Sequence, residues 1–335
     1  MTFLQKLPPN YSLITLAVVM VLYSLVMDTL FVPAGETLFV PSFFLEFTCV
    51  FLVSFTILVL FFRKNKSREE LISRIVHAVI AFGLMYVVLC LFSALKSILH
   101  IVQPYNLDVE FIAIEKFVHF GFLPIQLIPI FTENSFILKF LDTIYFFWFF
   151  FIYAYFCFVL FKNPYSQMRE RYVFCFAAVW FFVGSIAATL LASVGPIFLD
   201  DFFLQDTYST DLEHVRKIMN VFEVYATEHD LLVMKFKNLL VDMLHDEKAV
   251  NFNAASAMPS VHVAMVSLMT FHSFHVNRSL FISMVLYLLL TMAGSVLLCW
   301  HYAIDGYVAI ILTYGLWKLS ALLPVPSRSP LLRFV

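Results

Sequence analysis

Charge is scarce in this sequence. Only 13% of its 335 residues are Asp, Glu, Lys or Arg, against about 25% in an average soluble domain. Glycine is scarce too, at 8 residues, and no series of short alternating strands appears, which excludes an outer-membrane barrel. Cysteine occurs only at Cys49, Cys90, Cys157, Cys175 and Cys299, with no C-x-x-C pair. All five lie within or at the ends of apolar segments and read as buried small hydrophobes, silent on redox compartment. The net charge is −2, and basic residues interleaved with aromatics are confined to one short loop. Nothing here points to a nucleic-acid partner.

What the chain has in quantity is apolar surface. It is 62% hydrophobic and 18% aromatic, with 41 Phe. The composition predicts an all-α integral membrane protein that crosses the bilayer many times. Eight runs come near the ~20 residues that a span requires: 11–31, 39–62, 75–95, 136–161, 172–193, 258–275, 279–299 and 303–323. The first follows a single early Lys and no small-residue cleavage site, so it reads as a retained anchor, not a signal peptide. The expected plan is two amino-terminal helices and a basic loop within 1–74, a six-helix bundle over 75–323, and a tail at 324–335.

Basic residues set the orientation. Arg63, Lys64, Lys66, Arg68 and Arg74 follow the second run, and Lys162, Arg169 and Arg171 follow the fourth. Arg278 follows the sixth, and Arg328 and Arg333 lie in the tail. Eight crossings put all of them on one side, the cytoplasm. The opposite side receives residues 96–135, read as a short surface helix or a re-entrant piece, and the larger loop 194–257. Within that loop, Asp211 to about His245 reads as one or two amphipathic helices near the interface.

Two motifs carry chemistry. The first is Pro259-Ser260-Val261-His262, closing the long polar loop and opening an apolar run. Pro favours the first helical position, so the helix is expected to start at Pro259 with His262 in its first turn. Free amides and the helix dipole make such a turn a ready place for a phosphate oxygen, with Ser260 beside it. The second motif is His301-Tyr302-Ala303-Ile304-Asp305. On a helix, four-residue spacing puts the imidazole and the carboxylate on one face. The two histidines are 39 positions apart. That length is ~58 Å of helix, about two hydrocarbon thicknesses of ~30 Å, so a chain that crosses and returns brings both to one surface.

A neutral imidazole is a competent nucleophile, and a carboxylate on its other nitrogen fixes the tautomer and stabilises the cation formed on attack. His301 backed by Asp305 has those parts. His262 can give a proton to a departing oxygen. Together they suit phosphoryl transfer through a phosphohistidine, with no metal or other cofactor. Blander readings stand beside this one. A polar residue at a span's end is often interfacial, and metal binding lacks a third well-spaced ligand. His272 and His275 fall at the cytoplasmic end, as interfacial or packed side chains. His77, His100, His119, His214, His229 and His245 have no evident partner in the sequence.

These motifs resemble the type-2 phosphatidic acid phosphatase superfamily, and within it the branch of the inositol phosphorylceramide synthases. The resemblance spans about 75–323, with specific motifs at about 254–265 and 294–306. It implies His301 as nucleophile, Asp305 as its orienting partner and His262 as acid, then base. It implies a lipid phosphate or phospholipid as substrate; the eight-crossing topology puts His262, His301 and Asp305 on the non-cytoplasmic face. The chain departs from the pattern in three places. It has no Arg-Pro dipeptide where many members carry Lys-x6-Arg-Pro. Gly294-Ser295 stand where many carry Ser-Arg, and Val261 stands where a Gly is common. The cation that faces the phosphate must then come from elsewhere: Lys96 is the first candidate, with Lys116, Lys139 and Lys248 behind it. Two other classes compete, a transporter relaying protons through the His–Asp pair and an inactive scaffold. Charges within spans would favour the transporter, and Glu46 and Asp142 are the residues in question.

Overall fold

A computed structural model describes residues 8–31, 44–63, 67–132, 135–202, 209–245 and 256–326. Among them all regular structure is helical. The main helices are α1 (Tyr11–Phe31), α2 (Phe44–Phe62), α3 (Arg68–Ser97), α4 (Asp108–Val118), α5 (Ser135–Phe146), α6 (Trp148–Leu160), α7 (Gln167–Leu190), α8 (Thr210–Glu228), α9 (Leu232–His245), α10 (Val261–Ser273), α11 (Arg278–Leu297) and α12 (Ala303–Leu319).

Each of the eight apolar runs contains a helix, the fourth as the pair α5 and α6, bent by 43°. Helices α1, α3, α7 and α11 are long and apolar enough to cross a membrane, and the bent pair makes a fifth candidate. Helix α10 has 13 residues, or about 20 Å of rise, short of a ~30 Å hydrocarbon core on its own.

Two helices begin earlier than expected, and both shifts move basic residues out of loops. Ser67 caps α3 by accepting from the Glu70 amide at 3.2 Å, with Glu69 and Glu70 in the first turn, so the helix starts at Arg68 instead of 75. Helix α7 starts at Gln167 instead of 172 and carries Arg169 and Glu170 into the interior. Arg169 donates to Asn10 Oδ1 at 2.9 Å and to the His77 carbonyl at 3.3 Å. Glu170 accepts from the Asn10 and Ser12 amides and so caps α1. The expected loop charges therefore clamp the amino-terminal helix to the bundle.

Two apolar cores stack along the molecule. The first gathers α1, α3, α6, α7 and α10, around Trp148, Phe156, Phe176, Val263 and Met265. The second lies under a cap made by α4, α8, α9 and the segment around Ile197, and includes Met258, Leu298, Cys299, Tyr302 and Ile304. Both motif regions sit where these cores meet. The amphipathic stretch expected from Asp211 to His245 is two helices, α8 and α9, parted at Asp230, whose φ is +55°. The piece expected within 96–135 is α4 with short turns after it. Cys157, Cys175 and Cys299 are buried as expected, but Cys49 is exposed and Cys90 half-buried. Both belong to apolar helices that carry exposed side chains, among them Leu52, Val53, Val79 and Val87.

Candidate active site

Helix α10 opens two residues later than its proline suggests. Ser260 is the N-cap, its Oγ accepting from the Val263 amide at 3.4 Å, and the first helical residue is Val261. The helix thus does not start at Pro259, because the Ser260 side chain closes the first turn from outside. His262 still falls in that first turn. Its ring is packed between Tyr145 and Trp148, with centroids at 4.5 Å and 4.2 Å. The Trp148 indole N–H donates to the His262 carbonyl at 3.1 Å, which ties this turn to α6.

His301 is not on a helix. It lies before α12, where Tyr302 is the N-cap and Asp305 the third helical residue. The shared helix face expected for the pair does not exist. The contact forms because a carboxylate in the first turn folds back over the entering chain. Asp305 Oδ2 accepts from the Tyr302 amide at 3.1 Å and meets His301 Nδ1 at 3.2 Å. Asp305 is fully buried and His301 is 8% exposed. Since Nδ1 faces the carboxylate, Nε2 is the ring nitrogen left without that partner. The two imidazole centroids are 6.0 Å apart. The structure therefore brings His262, His301 and Asp305 into one cluster.

The cap fixes the segment that carries His301. Gly195 has φ +76°, and a Cβ there would stand 2.7 Å from the Ala257 Cβ and 2.8 Å from the Trp300 carbonyl oxygen. Only glycine fits this close approach. The Ile197 amide donates to the Cys299 carbonyl at 3.0 Å, the Ala257 amide to the Ser193 carbonyl at 2.8 Å, and the Ser260 amide to the Asp305 carbonyl at 3.2 Å. The two motifs are thus joined through their backbones.

Two buried carboxylates complete this frame, and neither was singled out from the sequence. Asp108 accepts from the Val194 and Gly195 amides at 3.0 Å and 2.9 Å and from the Tyr302 hydroxyl at 3.0 Å. Glu115 accepts from the Ile304 amide at 3.2 Å. Burial pushes Asp108 up to about 6, with its hydrogen bonds opposing, and pushes Glu115 up to about 8. A signal was present: the buried stripe of α4 is Asp108, Phe111, Ile112 and Glu115. Carboxylates at both ends of an apolar helical stripe face inward and need partners there.

Among the phosphate-facing candidates, Lys96 ends α3 within electrostatic reach of His262. Among the described residues no carboxylate pairs with it. Lys116 is taken by Asp211 at 2.6 Å, Lys139 is exposed, and Lys248 lies outside the described residues. Lys96 also stands at Lys-x6-Gln-Pro spacing from Gln103-Pro104, the expected motif with Gln in place of Arg. Among the described residues no group of three metal-ligating side chains forms. Several other histidines have structural partners: His272 with the Tyr155 hydroxyl at 2.8 Å, His119 with Tyr307 at 3.0 Å, His214 with Gln126 at 2.8 Å, and His77 and His229 with backbone carbonyls. The side chains of His100, His245 and Glu46 lie outside the described residues. Asp142, a candidate relay charge, accepts from the Leu232 and Val233 amides at 2.6 Å and 3.0 Å and so caps α9.

A sequence profile described as the PAP2 superfamily matches residues 109–319. The chain belongs to the PAP2 superfamily. Its members are usually phosphatase-type enzymes acting on phosphate-bearing substrates. The match takes in α4, both histidine motifs and most of the cap. Comparison with curated proteins and with solved structures found no match to either.

Proposed function

We propose that this PAP2 protein is a membrane-embedded enzyme that cleaves a phosphate ester of a lipid through a phosphohistidine on His301. His301 Nε2 attacks phosphorus, the bond to the leaving oxygen breaks, and His262 gives that oxygen its proton. An acceptor hydroxyl then returns a proton to His262 as its oxygen attacks the phosphohistidine, which frees His301. Asp305 holds the Nδ1–H and stabilises the cation. Ser260, the amides of the α10 first turn and Lys96 face the non-bridging oxygens. Water as acceptor makes the enzyme a phosphatase. A lipid hydroxyl makes it a head-group transferase of the inositol phosphorylceramide synthase kind, which the departures in the phosphate motifs favour.

One observation carries this reading: two imidazoles 6.0 Å apart with a buried carboxylate on the second. A near-attack nucleophile stands about 3–3.5 Å from its target, so one phosphorus between the rings is in reach of both. A lipid substrate is supported by the apolar outer surface at the level of the site. Tyr307, Ile311 and Tyr314 are exposed along α12 just after Asp305. The Tyr307 hydroxyl bonds His119, which lies between Phe117 and Phe120, 84% and 100% exposed. On our reading α2, α10 and α12 also cross, which gives eight crossings and an orientation with this surface in the non-cytoplasmic leaflet.

The test is incubation of the purified chain with a panel of lipid phosphates and phosphodiesters, with and without lipid alcohols. Free phosphate or a newly head-grouped lipid is expected, and His301→Ala should abolish it while the protein stays folded in the membrane. Full activity in that variant removes the nucleophile, and with it the mechanism.

A further inference from the structure

Tyr145 lies in the last turn of α5 and belongs to neither histidine motif. Its ring lies nearly flat on His262, with centroids 4.5 Å apart and planes 17° from parallel. The side chain is 8% exposed, yet its hydroxyl has no hydrogen-bond partner among the described residues. That hydroxyl is within electrostatic reach of Asp305, the carboxylate behind His301. The ring rests on one imidazole of the pair, and its hydroxyl interacts electrostatically with the acid behind the other. A buried hydroxyl left unpaired is unfavourable, so its presence in a site calls for a ligand that accepts from it.

The packing shows how this chain admits the ring. A Cβ on Gly294 of α11 would stand 3.2 Å from Tyr145 Cδ2, tighter than an ordinary contact. Gly294 and Ser295 occupy the place of the Ser-Arg pair in the resembled motif. The position that would crowd the Tyr145 ring is therefore a glycine, and the one that would supply a guanidinium is a short hydroxyl. Ser295 Oγ donates to the Met292 carbonyl at 2.8 Å, within its own helix. The departure thus removes a donor and makes room for another from the facing helix.

Resting on the phosphohistidine reading above, we propose that Tyr145 is a catalytic residue whose hydroxyl donates a hydrogen bond to a non-bridging oxygen of the phosphoryl group in transfer. A neutral phenol fixed by stacking needs no reorganisation when negative charge develops on that oxygen, and this is the condition under which one donor contributes most. It complements Lys96, which supplies charge at longer range.

The test uses orthovanadate, which takes the five-coordinate geometry of phosphoryl transfer, bound to the full chain in detergent micelles and followed by vanadium NMR. Parent protein should bind it, and His301→Ala should not. Tyr145→Phe keeps the ring on His262 and removes one oxygen. It should weaken vanadate binding roughly 10–100-fold and lower kcat/KM on the active lipid by a similar factor. Tyr172→Phe, which removes another unpartnered buried hydroxyl near His272, should change neither. Undiminished binding in Tyr145→Phe, with the parent binding and His301→Ala not, overturns the role of Tyr145 and leaves the phosphohistidine reading standing. A shifted pH profile without a change in vanadate affinity means the hydroxyl acts on the Asp305 Oδ1 atom, which is also unpartnered, and likewise overturns it. Equal losses in Tyr145→Phe and Tyr172→Phe would assign the effect to packing. A parent that neither binds vanadate nor turns over lipid phosphates ends both proposals.

Discussion

Replacing Asp305 with Asn isolates the charge behind His301, because the geometry dictates how the new amide sits. In the parent, one oxygen, Oδ2, serves both the Tyr302 amide and His301 Nδ1, at 3.1 Å and 3.2 Å. The Tyr302 N–H is a donor and cannot face an NH2 group. The Asn oxygen therefore takes the Oδ2 place and still accepts from Nδ1–H. The tautomer that leaves Nε2 free is kept, and the negative charge is lost. A hydrogen bond to a charged partner contributes about 1.5–3 kcal/mol, against about 0.5–1.5 for a neutral one. The imidazolium character that grows on attack thus loses roughly 1–2 kcal/mol of stabilisation, or about 5–30-fold in the chemical step. An amide turned the other way would force the wrong tautomer and cost nearer 10⁴-fold, as in serine-protease triads. Single-turnover kinetics in micelles with a base quench, which preserves phosphohistidine, measures the step directly. A loss of 5–30-fold with unchanged substrate affinity supports the reasoning. A rate within twofold of the parent refutes the stabilising role of the Asp305 charge, and a 10⁴-fold loss refutes the claim that Tyr302 sets the amide.

Other outcomes follow from the frame around the site. Glu115 is carried up to about 8 by burial, above its ordinary value near 4.5, so the folded state holds a proton there that the unfolded chain releases. Stability from this group is complete below about pH 4.5 and falls as pH rises towards 8, by a few kcal/mol at most. Glu115→Gln should flatten that slope in thermal melts, and an unaltered slope would place the pH dependence elsewhere. Gly195→Ala sets a Cβ against Ala257 and the Trp300 carbonyl at a positive φ. It should cost about 1–3 kcal/mol of stability and at least tenfold in kcat/KM, since the displaced carbonyl adjoins His301. Parent-like kinetics in a stably folded variant would sever that link.

The sequence showed the helices well, for a physical reason, and it named the two histidines and the carboxylate that the structure brings together. A span must be long and apolar whatever it packs against, so the eight runs are written locally, and each contains a helix. Their ends are not written so locally. Arg169 looked like a loop charge because nothing near it in sequence shows that Asn10, 159 positions away, supplies its partner. The His301–Asp305 contact was expected from spacing and is present, but through a first-turn carboxylate folding back on the entering strand of chain, not through a helix face. The same four-residue interval satisfies both geometries, and spacing alone does not separate them.

Asp108, Glu115 and Tyr145 show what kind of residue stays hidden. None lies in a motif, and each acts on a segment 80 or more positions away. Asp108 holds the 194–195 turn and Tyr302, Glu115 holds Ile304, and Tyr145 lies on His262. The proposed reacting groups are legible because their chemistry restricts residue type and spacing together. The holding groups need only a carboxylate or a phenol at the right point in space, and the chain can supply that from any helix. Yet the orientation of His301 is determined by the holding groups as much as by Asp305. The Tyr302 backbone fixes Asp305, and Asp108 fixes the Tyr302 side chain. A rotation of the cap segment by a single residue would therefore leave both motifs intact in sequence and remove Nε2 from the line of attack. On the proposed mechanism, activity depends on the seating of α4 within the cap, where none of the proposed reacting atoms lies.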